Sequence, residues 1–142
     1  MKIRLFIEKD ITDSMILANN HYHYLVNVLR IKLEDRVFLF NQNGEYIFTV
    51  DFIGKKNITL IKLDKTNNFE QKSGVISCIP LIKPDTMSRM VRQSIEMGAE
   101  KIILFNSQHS SVRHISLDKI KLIAIEALEQ CNRIILPDII FF

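Results

Sequence analysis

The hydrophobic period of this chain changes once, at a polar, turn-rich segment over residues 64–74 (DKTNNFEQKSG). A sheet with one solvated face requires alternation, whereas a buried parallel strand requires a continuous apolar run, so a single change of period implies two different kinds of sheet. Before the segment, residues 2–7 (KIRLFI), 36–40 (RVFLF), 46–52 (YIFTVDF) and 58–63 (ITLIKL) read as strands rich in β-branched and aromatic residues, and NQNG at 41–44 has the composition of a hairpin turn. Residues 20–29 (NHYHYLVNVL) read as a helix whose Leu25, Val28 and Leu29 share one face. This predicts a small β-barrel-like module over residues 1–70, with 64–74 as the linker.

Beyond the linker, 75–81 (VISCIPL), 101–105 (KIILF) and 134–142 (IILPDIIFF) read as buried parallel strands separated by two helices. In the first helix Asp85 is the expected cap, Met87, Met90, Val91 and Ile95 form the apolar face, and Gly98 is the stop. In the second, Ser116 is the expected cap and Ile120, Ile123, Ala124, Ala127, Leu128 and Cys131 form the buried stripe. The fold class expected is therefore mixed α/β, a β module followed by a β-α-β-α-β unit over 75–142. Three strands and two helices leave apolar sheet edges to be covered, and open α/β sheets bind ligands beyond the carboxyl ends of their strands. The chain thus reads as the front part of an enzyme, to be completed by a further segment, a second copy or another polypeptide.

Composition excludes little. With 142 residues, 47% hydrophobic and 25% charged, the chain is ordinary globular material, and a net charge of +3 permits a polyanionic partner without requiring one. Cys78 and Cys131 each lie in an apolar run and are expected to be buried, reduced thiols, which favours the cytoplasm. No run approaches the about 20 apolar residues of a spanning helix, and the opening MKIRLFIEKDI is too broken by charge for a signal peptide, so no membrane association is expected.

No zinc spacing, glycine-rich phosphate loop or serine elbow occurs. His21 and His23 flank Tyr22 at a helix start, where two exposed polar residues beside an aromatic outweigh a metal pair on general grounds, so no metal site is expected. Arg89, Arg92, Gln93 and Glu96 lie on the polar face of the first helix, which a merely solvated surface would also explain. Glu126, Glu129, Gln130 and Arg133 crowd the end of the second helix. Arginine there complements the helix dipole and glutamate opposes it, leaving a salt-bridge cluster or a functional site as alternatives.

Taken together, YLVNVLR (24–30), RQSIEMG (92–98) and AIEALEQCNRIILP (124–137) resemble the HLxxVLR, QKxxELG and EAxEQxxRxxxP segments of the ribosomal RNA small subunit methyltransferase E family, and Arg4 and Phe6 sit as in its opening strand. The resemblance covers nearly the whole chain and is most specific at Glu126, Ala127, Glu129, Gln130, Arg133 and Pro137. It implies a PUA-like RNA-binding domain over 1–70 and the amino-terminal part of a SPOUT-type methyltransferase domain over 75–142, with the trefoil knot missing. It also implies S-adenosylmethionine as cofactor, a uridine ring nitrogen 3 in 16S rRNA of the small ribosomal subunit as target, and a homodimer. Arg4, Arg30, Lys32 and Arg92 become the expected RNA-binding residues, and Glu129, Gln130 and Arg133 the expected catalytic ones, with no individual role implied.

The departures bear on activity. The family's GPEGG and LGxRILRxETA segments, which wrap the cofactor, do not occur, so no cofactor-binding residue is assigned and none is expected to bind this chain alone. The family's KME stands here as Thr86, Met87, Ser88, its QK as Arg92, Gln93, its SER as Ser107, Gln108, His109, and its helix histidine as Tyr24. Apolar positions match while several charged ones differ, which leaves three expectations: a methyltransferase needing completion, an inactive RNA-binding remnant, or half of a split enzyme whose other half is separately encoded.

Overall fold

The computed structural model describes residues 2–110, 112 and 114–142, which form two compact units, residues 1–69 and 70–142. The first unit is a five-stranded sheet of β1 (Arg4–Phe6), β2 (Ser14–Ala18), β3 (Arg36–Asn41), β4 (Gly44–Ile53) and β5 (Asn57–Lys65), in spatial order β1-β3-β4-β5-β2. The β1/β3 ladder is parallel and the other ladders are antiparallel. The barrel-like module expected is an open, curled half-barrel: β1 has three residues and pairs only with β3, leaving β1 and β2 as edges. Two register shifts in β4/β5, at Ile47/Phe48 and Val50/Phe52, supply the curl.

β2 was not expected from the sequence. Its five residues alternate strictly, Met15 and Leu17 inward and Ile16 outward, but so short a run beside polar residues carries little signal. The concave side holds Leu5, Ile7, Met15, Leu17, Leu25, Val37, Leu39, Phe48, Val50, Ile58 and Leu60, all nearly solvent-free. The expected hairpin is present: Asn41 pairs with Gly44, and the Asn41 side chain closes the turn by accepting from Asn43 N at 2.9 Å.

The expected helix over 20–29 is a single α-turn, α1 (Asn19–Tyr22), followed by a π-helical segment, His23–Val28, in which Leu29 N donates to Tyr24 O five residues back. The wider π turn rotates the apolar face. Leu25 is buried and Val26 and Leu29 pack on the core, while Val28 is 56% exposed and so leaves the face assigned to it.

The second unit is a parallel sheet of β6 (Ile76–Pro80), β7 (Lys101–Phe105) and β8 (Asp138–Phe141), in that spatial order, with α2 (Pro84–Glu96) and α3 (Leu117–Cys131) as crossovers packed against each other. Ser77 bonds Ser94 of α2 at 2.8 Å, which fixes the Ser77, Ile79, Ile102 and Leu104 row as the helix side. Cys78, Ile103 and Ile140 share the opposite face. β6 is thus an edge strand and not the fully buried strand expected: Val75 and Ile76 are exposed, as is Cys78, which corrects its expected burial. Cys131 is half-buried, and both thiols are free.

The α2 cap also differs. Lys83 precedes the helix without a side-chain cap, Pro84 occupies the first turn, and Asp85 lies one residue further in, favouring the dipole without capping it. Gly98, at φ +93°, ends the helix as expected, and Ser116 caps α3 by accepting from Lys119 N. α3 ends at Asn132, a left-handed residue.

Candidate functional site

Two groups of polar side chains stand out, one in each unit. In the first unit, Arg30 has a left-handed backbone (φ +53°) where the π-helical segment ends, and Ile31 N donates to Leu25 O at 3.0 Å. Ile31 is buried, so it anchors the loop while Arg30 and Lys32 on either side project into solvent. Neither cationic head group makes a hydrogen bond or ion pair among the described residues, which leaves both available to an anionic ligand. Nearby in sequence, burial and then the charge of Lys9 hold the His21 imidazole below its ordinary value of 6.5, favouring the neutral ring. No group of three or more His, Cys, Asp or Glu side chains able to hold a metal ion occurs among the described residues.

Arg4, expected to bind RNA, is placed otherwise. Its side chain is 3% exposed, its Nε donates to Glu45 Oε2 at 2.6 Å, and its guanidinium stacks 4.1 Å from the Phe40 ring centroid. Glu45 is equally buried and also accepts from Lys2 Nζ and Thr66 Oγ1. Burial, the largest single influence on this carboxyl, would raise its pKa. The hydrogen bond and charge of Arg4, with the Thr66 hydroxyl and the Lys2 charge, outweigh burial and hold it below the ordinary value of 4.5. A guanidinium committed in this way cannot reach a phosphate, so Arg4 is a structural residue. Arg92 is half-buried and donates to Glu126 at 2.8 Å, tying α2 to α3, so it too is already partnered.

In the second unit Arg133 is the centre of the polar cluster. Its Nη1 donates to Ile95 O at 2.7 Å and Ala99 O at 3.2 Å, and its Nε donates to Glu70 at 2.7 Å. The other Glu70 oxygen accepts from Ile134 N and Ile135 N at 2.9 and 3.0 Å. Arg133 therefore adds a charged donor to the Ile95 and Ala99 carbonyls around the end of α2, while Glu70 holds the chain leaving α3. Glu129 is half-buried and Gln130 exposed, one turn before Arg133. The carboxyl end of α3 leads into the start of β8, so these residues lie at the amino ends of the parallel strands. Open α/β sheets bind ligands at the opposite, carboxyl ends of their strands, and the bonds of Arg133 go to Glu70 and to backbone carbonyls.

Just past the carboxyl end of β7, Ser107 and Ser110 bond one another. Ser107 N and Oγ each lie 2.9 Å from Ser110 Oγ, and Ser110 N returns to Ser107 O at 3.1 Å. Among the described residues no buried side-chain nitrogen or oxygen lacks a partner.

Sequence reasoning missed Glu45 and Glu70. Glu45 lies opposite Phe40 across the hairpin, where a carboxylate between apolar strands could have signalled a buried partner. Glu70 lies in the polar linker and carried no signal.

A curled sheet with free cations beside a helix end, followed by a parallel sheet with both crossover helices packed together, defines a two-unit α/β protein. Residues 69–142 match the RNA methyltransferase domain family and residues 17–63 the RNA methyltransferase PUA domain family. The chain belongs to the RNA methyltransferase family. It is similar to the ribosomal RNA small subunit methyltransferase E of Buchnera aphidicola subsp. Acyrthosiphon pisum, with 34% identity over 96% of this chain and 58% of that protein. It is also similar to that of Rickettsia conorii, with 26% identity over 94% of this chain and 57% of that protein. The chain spans rather more than half the length of these curated relatives. Among solved structures, the Neisseria gonorrhoeae ribosomal RNA small subunit methyltransferase E bound to S-adenosyl methionine superposes with a TM-score of 0.85 at 22% identity, over 99% of this chain and 62% of that one. A Legionella pneumophila methyltransferase with bound cofactor gives the same TM-score at 21% identity over the same shares. These structures share the fold.

Proposed function

We propose that residues 1–69 carry the RNA-binding part, and residues 70–142 the first part of the SPOUT-type catalytic domain, of an enzyme that methylates ring nitrogen 3 of a uridine in 16S rRNA. S-adenosylmethionine would supply an electrophilic sulfonium methyl, and the uridine imide must lose its proton for its nitrogen to accept that methyl. The substrate would be the small ribosomal subunit or its RNA, encountered in the cytoplasm. Completion of the cofactor site, by a homodimer partner or a separately encoded polypeptide, belongs to the same proposal.

The observation that carries the RNA-binding part is the pair of unpartnered cations, Arg30 and Lys32, set on either side of the buried Ile31. Phosphate contacts position nucleic acid and make binding depend on salt. Alanine at Arg30 should weaken binding of a single-stranded 16S segment and reduce the slope of log K against log salt by about 0.7. An unchanged affinity and slope would remove Arg30 from the interface, whereas Arg4→Met should leave the slope intact.

The departures from the family's polar positions favour a second reading, RNA binding without catalysis. Calorimetric titration of S-adenosylmethionine into the folded chain separates the two. Stoichiometric binding supports the enzyme, and absence of binding together with salt-dependent RNA binding supports the second reading.

A further inference from the structure

We infer that the outer face of the five-stranded sheet carries a groove for one unpaired guanine base. The groove has a volume of about 500 Å³, within the range of small-molecule sites, and is lined by Leu33, Glu34, Arg36, Thr49, Asp51 and Leu63. Arg36 and Thr49 are cross-strand partners on β3 and β4, and Thr49 is in turn opposite Ile61 on β5, which places them on the face away from the core. Leu33 and Leu63 are exposed apolar side chains at this groove, 58% and 52% accessible, and can cover the faces of a planar ring.

The charge pattern selects the ligand. Glu34, Arg36 and Asp51 are all exposed, and none of their charged groups forms a hydrogen bond or ion pair among the described residues. Two carboxylates against one guanidinium repel a phosphate from the groove but suit a base edge that offers donors to the carboxylates and acceptors to the arginine. Of the four bases only guanine carries two adjacent donors, N1–H and the N2 amino group, together with two adjacent acceptors, O6 and N7. Glu34 also has a strained backbone at φ +68°, held by its own N–H to Val50 O at 2.9 Å and by Val50 N to Asp35 O at 3.0 Å. A non-glycine residue fixed in this conformation beside a groove is the kind of stored strain that accompanies ligand contact. The sugar-phosphate of the bound nucleotide would then lie outside the groove, where Lys32 adjoins Leu33 in the chain.

This assignment rests on the RNA-binding reading above, and one titration distinguishes their failures. Fluorescence anisotropy with the full chain should compare an oligouridine, the same oligomer with one central guanosine, and the same with one central inosine, which lacks the N2 amino group. Guanosine should improve affinity about tenfold over uridine, and inosine should recover only part of the gain. The Glu34→Gln/Asp51→Asn double variant and Arg36→Met should each lose the preference while still binding oligouridine. Arg30→Ala should weaken both oligomers equally and keep the preference. Equal binding of guanosine and uridine oligomers by the unaltered chain, or a preference that survives all of these groove variants, overturns the groove assignment alone. Failure of the folded chain to bind any of the oligomers overturns it together with the RNA-binding reading. Circular dichroism of each variant verifies the fold, which none of the three exposed side chains supports through a bond of its own.

Discussion

At the scale of single residues, two carboxylates decide more than their positions in the sequence suggest. Arg133 and Glu70 are only 13% and 18% exposed and together satisfy four backbone groups. Arg133→Met should therefore destabilise the chain by about 3 kcal/mol in urea unfolding, mostly by leaving the largely buried Glu70 carboxylate without its cation. A change within a few tenths of a kcal/mol would return Arg133 to the functional candidates. Glu45 behaves as a depressed carboxyl. Its contribution to stability is fully present above its ordinary value of 4.5 and is lost as pH falls through the lower value of the folded state. Unfolding measured across this range should show the gap between the natural chain and Glu45→Gln narrowing as pH falls below 4.5, and a constant gap would mean that the carboxylate charge does not hold Arg4. Neither role was legible from residue type. Arg4 and Arg133 each matched a family position, but a match in register does not say whether a guanidinium points to a ligand or to a neighbouring carboxylate.

At the scale of elements, periodicity located most strands and both long helices, and failed where hydrogen bonding departs from the regular pattern. The π-helical segment His23–Val28 is the clearest case: a 3.6-residue period assigns Val28 to the buried face, whereas the wider turn puts Val26 there. The end of α2 was legible because glycine followed by a new apolar run marks a helix stop. Gly98 adopts φ +93°, and a Cβ built there would meet nothing within 4 Å, so the cost of Gly98→Ala is backbone strain without steric clash. A loss of ~1–2 kcal/mol in thermal or urea unfolding is expected. A neutral result would mean that the turn relaxes to negative φ. β6 shows the opposite limit. Its apolar run reads the same whether a strand is central or at an edge, and only the pairing order makes it an edge with Val75, Ile76 and Cys78 exposed.

At the scale of the molecule, the first unit has a core of its own, drawn from all five strands and from Leu25 and Ile31. A chain comprising residues 1–69 is expected to fold alone, with a cooperative thermal transition and the salt-dependent RNA binding of the full chain. A broad, non-cooperative transition would show that this core depends on the second unit. The second unit presents Cys78, Ile103 and Ile140 on the sheet face away from its helices, a consequence of sequential strand order with both crossovers on one side.

The sequence by itself determined the mixed α/β class, the change from alternating to continuous apolar strands, both long helices, the hairpin at Asn41–Gly44 and the family. Each of these rests on local composition or on residues matched in order, which are properties of neighbours along the chain. Tertiary structure alone decided that Arg4 is buried against Glu45, that Arg133 bonds carbonyls around the end of α2 while pairing with Glu70, that the first sheet stays open, and that Glu34, Arg36 and Asp51 share one groove. These depend on strand order, register and chain reversal, which bring together residues far apart in sequence, and a pattern of neighbours does not encode which distant partner a charged side chain will meet.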